Sequence, residues 1–317
     1  MEVKDIEFKS ADHVIEEIRN MNVKGGSPFG RAAAWAFKLV SEQETFSSKD
    51  SLINRYEDVA KQIIDLKPTM ATIYNTWYIV KNTLKKIENV KDVERVKKEV
   101  SHVCSNIIDY SFEAVSRVGE YGSNLVQEND IIMMHSYSST LMEIFIKAAE
   151  KGKNFTVICT ESRPLRESRV AIKILQKLNI RAIYITDASI YEFLPKADYV
   201  IMGADSICYD GSVANKMGTA MISKLACLCK KPVYIASELY KLDLRTLYGY
   251  KIKLERRSET EIVSKGDFDS LDGIEIINQF FDLTPATDLK SIICEYGIVS
   301  PAQIAGFWSK LEGKVME

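Results

Sequence analysis

Residues 200–219 read VIMGADSICYDGSVANKMGT, an apolar run that breaks into Asp205, Asp210, Asn215 and Lys216 in quick succession. A carboxylate, an amide and an ammonium delivered so close together can handle a proton or a hydroxyl and neutralise an anion. Simpler uses stay open: Asp210-Gly211 is a turn dipeptide, and Asn215 could cap a helix beginning near Lys216. A second such stretch is Lys24-Gly25-Gly26-Ser27-Pro28. Its glycines let the backbone approach a ligand closely, and Ser27 is placed as an N-cap with Pro28 at the first helical position. The free N–H groups of that helix start favour an anion such as phosphate. As a flexible turn between helices, the same residues need no ligand. Arg163, just before Pro164, suits either a bidentate phosphate contact or an ion pair with Glu161 or Glu167.

The pattern around these residues says how they are held. Strands expected over 130–135, 155–160, 182–186, 199–202 and 233–237 alternate with helices over 140–151, 168–178 and 218–229. Such alternation predicts a doubly wound parallel sheet with right-handed crossovers, in which ligands sit outside the carboxyl ends of the strands. Polar groups follow each expected strand: Ser136 and Ser138, Glu161 and Arg163, Asp187, Asp205, then Glu238 and Lys241. Singly, each serves as a cap or a surface pair. Gathered on one sheet edge they describe a polar pocket, with Arg163, Lys216 and Lys241 to neutralise a phosphate and Asp205 to move a proton. Neither a G-x-G-x-x-G nor a G-x-x-x-x-G-K-[ST] sequence occurs, so no dinucleotide or P-loop site is signalled.

Before residue 130 the pattern is helical. SADHVIEEIRNMNV offers Ser10 as a cap and apolar positions at Val14, Ile15, Ile18 and Met21. Further helical patterns cover 29–40, 48–66, 70–90 and 103–126, with Lys67-Pro68-Thr69 as a break and 81–98 as a solvated, charged helix face. The fold class expected is therefore α/β, with a helical N-terminal domain over 1–127 and a sheet domain over 128–317. At 317 residues the chain is long for one core, and 46% hydrophobic content with a net charge of −2 marks a globular protein that asks for neither DNA nor a membrane surface. Its 6 cysteines show no C-x-x-C pair and no histidine at metal-ligand spacing, so no disulfide framework, metal site or cofactor is expected. The charged amino terminus lacks an apolar leader, and no run approaches about 18 apolar residues, which points to the cytoplasm.

Several motifs coincide, in order and spacing, with one superfamily. Thr160-Glu161-Ser162-Arg163-Pro164, Gly203-Ala204-Asp205-Ser206, Asn215-Lys216-Met217-Gly218-Thr219, Phe281-Asp282-Leu283-Thr284-Pro285 and Glu295-Tyr296-Gly297-Ile298 resemble the alpha, beta and delta regulatory subunits of translation initiation factor 2B. Methylthioribose-1-phosphate isomerase and ribose-1,5-bisphosphate isomerase share that superfamily. Lys24-Gly25-Gly26-Ser27 is similar to its phosphate-binding Arg-Gly-Ala-Ser-like turn, and Lys67-Pro68-Thr69 to its Arg-Pro-Thr. The resemblance implies a Rossmann-like C-terminal domain that assembles dimers or larger homo-oligomers. It also implies that an Asp and a Cys share the proton transfers of the isomerases. The Asp corresponds to Asp205, and the Cys position is Ser136, in His135-Ser136-Tyr137-Ser138.

That departure bears directly on function. A thiol of pKa about 8.5 exchanges a proton at neutral pH, whereas an alkanol needs an adjacent base. Lys24 likewise replaces a bidentate fork by a point charge. The sequence alone is thus read as a regulatory or binding protein linked to translation initiation, with initiation factor 2 as an expected partner. It holds a phosphorylated sugar or nucleotide through Lys24, Gly25, Gly26, Ser27, Arg163, Asn215, Lys216 and Lys241 without turning it over. The alternative is an aldose–ketose isomerase of sugar 1-phosphates, with Asp205 as acid/base and Ser136 in a modified role.

Overall fold

The computed structural model describes residues 6–317, so the first five residues of the charged amino terminus lie outside the described residues. Helices α1 (Ala11–Arg19), α2 (Gly26–Gln43), α3 (Lys49–Leu66), α4 (Ala71–Lys86) and α5 (Val93–Leu125) come first. Ser10 caps α1 by accepting the His13 N–H, and Ser48 forms a capping box with Ser51 at α3, as side chains at those positions should. At the centre of the layer the Phe37 ring lies 6.1 Å from Tyr56 and 5.7 Å from Trp77. The charged run 81–98 is not one continuous helix face. It breaks between α4 and α5, where Asp92 caps the new helix and the Lys49 ammonium collects the carbonyls of Ile87, Glu88 and Val90 at 3.0, 2.7 and 2.9 Å. A cation satisfying the orphan carbonyls of a helix end lets the chain turn there.

The remainder runs β1 (Ile131–Met134), α6 (Ser139–Glu150), β2 (Thr156–Thr160), α7 (Ser168–Lys177), β3 (Arg181–Ile185), α8 (Ile190–Phe193) and β4 (Tyr199–Met202). Then follow β5 (Ser206–Ile207), β6 (Val213–Lys216), α9 (Thr219–Leu228), β7 (Val233–Ala236), β8 (Phe281–Thr284), β9 (Ser291–Cys294), β10 (Gly297–Val299) and α10 (Trp308–Met316). The main sheet has 7 strands in the order β10-β9-β7-β4-β1-β2-β3, parallel except for the edge strand β10. The chain enters at β1, winds outward to β3, then returns to β4 and winds the other way. The reversal between β1 and β4 opens a crevice at their carboxyl ends, which in such sheets receives the ligand.

A second, 3-stranded antiparallel sheet, β5-β6-β8, has no counterpart in the sequence reading, which expected a loop leading straight into a helix. The Asp210-Gly211 turn produces it. Asp210 accepts the N–H and hydroxyl of Ser212 at 2.8 and 3.0 Å, and Gly211 takes φ 86°, so the chain reverses into a hairpin. Asn215 and Lys216 consequently lie on a strand and not at a helix start.

One apolar cluster runs from Phe37, Tyr56 and Ile107 of the helical layer into Met133, Val200, Ile235 and Ile292 of the sheet. The opposite sheet face packs Met134, Val157 and Ile201 against Phe145 and Leu175. All 6 cysteines are free, with Cys104, Cys159 and Cys294 buried as small apolar groups. Among the described residues no helix is long and apolar enough to cross a membrane. Gly211 offers a test of the hairpin, since a Cβ there would strike the Pro301 carbonyl while the backbone stays left-handed. Gly211→Ala should lower stability by about 3 kcal/mol, read as a smaller urea midpoint at unchanged slope.

Candidate functional site

The crevice is built from the residue that follows each central strand. After β1 comes His135, buried, with Nδ1 2.6 Å from the Thr160 hydroxyl and Nε2 2.8 Å from the Met217 carbonyl. A carbonyl only accepts, so Nε2 carries the hydrogen and Nδ1 accepts from Thr160. Burial lowers the ring's pKa, which keeps it neutral. Gly218 packs on this ring so closely that a Cβ would lie 2.9 Å from Nε2. Ser136 then turns the chain at φ 63°, a conformation rare outside glycine that gathers at ligand sites.

After β4 the Asp205 N–H donates to the Ala214 carbonyl at 3.0 Å, which ties the end of β4 to β6. Burial pushes the Asp205 carboxyl up to about 6, against the pull of Lys241 and Lys216 and with the push of Glu255 and Glu167. Lys241, itself buried, donates to the Ala204 carbonyl at 2.9 Å and pairs with Glu238 at 3.2 Å. Burial alone would raise the Glu238 carboxyl, but the Lys241 ammonium holds it below the ordinary range.

The helical layer brings the glycine turn to this point. Gly25, at φ 90°, is itself the N-cap of α2, so the helix begins at Gly26 and Ser27 lies inside its first turn; Ser27 does not take the capping position expected of it. Glycine's freedom at positive φ moves the boundary. Gly26 lies against the Lys241 side chain and the Asp205 carbonyl, where a Cβ would stand 3.0 and 3.3 Å away, and Thr72 donates to its carbonyl at 2.7 Å. The Ser27 hydroxyl and Oε1 of Glu238 are both buried, and the hydroxyl helps the Lys241 ammonium to hold that carboxylate low.

Lys216 is also buried, paired with Glu167 at 3.0 Å and 3.5 Å above the Phe280 ring, and burial lowers its pKa. Asn215 donates to the Thr219 hydroxyl at 2.9 Å, so that arm of its amide holds the turn between β6 and α9. Lys24 and Arg163 remain exposed. Neither carboxylate expected to pair with Arg163 does so: Glu161 bonds Arg166 at 3.3 Å and Glu167 bonds Lys216. The Asp187 carboxylate instead fixes the Arg163 backbone, accepting the N–H groups of Ser162 and Arg163 at 2.9 and 2.8 Å.

The structure thus brings Asp205, Lys241, Gly26, Ser27 and Lys216 together. Glu238, one of the polar groups expected after a strand, joins them, and so does Glu167, which the sequence offered only as an ion-pair partner of Arg163. The structure also adds Lys67, half-buried and 3.9 Å from Glu255, and Arg257, 4.4 Å from the centre of the Phe280 ring. Glu255 and Arg257 come from the irregular segment 249–280, whose polar pattern says nothing of where it packs.

These positions identify the protein's kin. A description of the initiation factor 2 subunit family matches residues 22–301. The chain belongs to that family. It is 30% identical to the ribose 1,5-bisphosphate isomerase of Thermococcus kodakarensis over 295 residues, 92% of each chain. It is 29% identical to the methylthioribose-1-phosphate isomerase of Thermosipho africanus over 308 residues, 93% of this chain and 88% of that one. The solved translation initiation factor eIF-2B of Pyrococcus horikoshii superposes with a TM-score of 0.78 at 28% identity, over 92% of this chain and 98% of that one. Some family motifs are here structural. Asp282 caps α9 by accepting the N–H groups of Gly218 and Ala220 at 2.7 and 3.1 Å, and Glu295 accepts the Leu239 N–H at 3.0 Å.

The raised Asp205 pKa has a measurable consequence. Its folded value lies above the unfolded 3.8, so stability held below pH 3.8 is lost as pH rises through about 6. Asp205→Asn should therefore raise the thermal midpoint by a few degrees at pH 8, worth about 2 kcal/mol after discounting for partial solvent access, and leave it unchanged at pH 3.

Proposed function

We propose that the chain is an aldose–ketose isomerase of sugar 1-phosphates. The observation that carries this reading is Asp205, a carboxyl pushed to about 6 at the reversal point of the sheet, between two buried lysines and beside a helix start. When the anomeric oxygen carries phosphate, the sugar ring cannot open by simple reversion to the aldehyde. Opening then needs a proton given to the ring oxygen and another taken from C2. A carboxyl that still holds its proton near neutral pH can give the first. Lys241 and the Gly25-Gly26-Ser27 turn supply the positive field for a phosphate, with Lys24, Arg163 and Lys216 as further ligand-binding groups. The isomerase relatives support this chemistry.

Ser136 favours a second reading, in which a homodimer or larger assembly joined through the sheet-bearing part binds a phosphosugar or nucleotide and regulates initiation factor 2. An alkanol is a poor substitute for a thiol in proton transfer. Phosphorus NMR on ribose 1,5-bisphosphate and methylthioribose 1-phosphate separates the two. An isomerase forms ketose at a kcat on the order of 1 per second, Asp205→Asn slows it about a thousandfold, and kcat/KM falls as pH rises past about 6 because the acid must keep its proton. Silence from the unaltered protein, broken by Ser136→Cys, would establish the binding role instead.

A further inference from the structure

If the crevice performs this isomerisation, something other than a thiol must take the proton from C2. The groups around Ser136 narrow the choice. His135 has no free lone pair, since its two ring nitrogens are committed to Thr160 and the Met217 carbonyl. Both carboxylate oxygens of Asp187 are occupied by the N–H groups of Ser162 and Arg163. Ser138 caps α6 by accepting the Leu141 N–H at 3.3 Å. Glu238 is paired with Lys241, bonded by the Thr140 hydroxyl at 3.1 Å and faced by the Ser27 hydroxyl.

Glu167 is different. It precedes α7 at the N-cap position yet makes no capping bond with its side chain. The neighbouring Ser168 hydroxyl donates to the Ser136 carbonyl at 3.3 Å, which seats the start of α7 on the residue that replaces the thiol. Oε1 of Glu167 pairs with Lys216, on the strand that holds the Asp205 backbone, while Oε2 is buried and has no hydrogen-bond partner. A buried carboxylate oxygen left without a donor is costly, and one whose partner oxygen is paired with a lysine is suited to accept a proton from a ligand.

We propose that Glu167 is the catalytic base of this protein, taking at Oε2 the C2 proton that a thiol would otherwise take. The inference rests on the isomerase reading. In the first step the C2–H proton passes to Glu167 and its electron pair forms the C1=C2 bond. The bond from C1 to the ring oxygen breaks, and that oxygen receives the Asp205 proton. In the second step the Asp205 carboxylate removes the C2 hydroxyl proton as the C2 carbonyl forms, and C1 takes the proton from Glu167. Both residues return to their starting states, and no other reactant is consumed.

The test compares the unaltered protein with Glu167→Gln, Glu167→Asp and Glu167→Gln combined with Ser136→Cys on ribose 1,5-bisphosphate, following kcat, KM and deuterium uptake from heavy water at C1 of the ketose. The base assignment expects Glu167→Gln to lower kcat at least a hundredfold with KM within threefold, and to abolish deuterium uptake. Glu167→Asp keeps the charge that neutralises Lys216 while withdrawing the oxygen, so kcat should fall with the thermal midpoint preserved. Adding Ser136→Cys should restore turnover to the Gln variant. Turnover within threefold of the unaltered protein in Glu167→Gln, a rise in KM matching the loss, or no rescue by the thiol would overturn the assignment and leave Glu167 as a support for Lys216, with the isomerase reading intact. No turnover by the unaltered protein would overturn both.

Discussion

The buried ion pair between Lys241 and Glu238 is the constraint around which the rest of the molecule is arranged. Each of these side chains would be costly to bury alone, and together they are made tolerable by further bonds. Lys241 spends one hydrogen on the Ala204 carbonyl, which fixes the residue before Asp205, and Glu238 receives the Thr140 hydroxyl from α6. The ends of β4 and β7 and the start of α6 are therefore set by one charge pair. Gly26 has to be glycine-like in bulk because the Lys241 stem fills the space a side chain would take.

The helical layer exists, in functional terms, to hold that pair in place. Asn75 of α4 donates to the carbonyls of Tyr240 and Leu242 at 2.8 and 2.7 Å, and Thr76 bonds the Tyr240 hydroxyl at 2.8 Å. From α5, Tyr110 bonds Glu295, whose carboxylate in turn holds the Leu239 N–H. Burial pushes the Glu295 carboxyl up to about 7 despite those bonds. The segment Leu239–Lys241 is thus clamped from two helices and one strand end, and none of the clamping groups lies near it in sequence. Buried polar networks of this kind specify one arrangement of two layers where apolar packing alone would permit several.

Charge balance around Asp205 follows the same logic. Each lysine around the crevice is paired with a carboxylate: Lys241 with Glu238, Lys216 with Glu167 and Lys67 with Glu255. Asp205 sits among these pairs without a salt-bridge partner of its own, which is why burial dominates its titration. Such an arrangement trades stability for a carboxyl that holds its proton up to about pH 6.

Much of this was legible from residue order. The βα alternation after residue 130, the strand at residues 199–202, the Ser10 and Ser48 helix starts and, among the described residues, the absence of strands before β1 follow from local pattern and capping chemistry, which act over a few residues. That Asp205 and Lys216 come near each other was legible for the same reason, since polar groups after the strands of such sheets collect at one edge. The hairpin of β5 and β6 escaped because its partner β8 comes from far along the chain, and the Ser27 cap was misplaced because a glycine at positive φ can start a helix earlier. Local sequence by itself determined which elements form and which strand ends carry charge. Only the tertiary structure decided which charges pair, that Arg163 is left by both of its neighbouring glutamates, and that Glu167 faces Lys216, because Coulomb energies and desolvation depend on distances that chain folding alone sets.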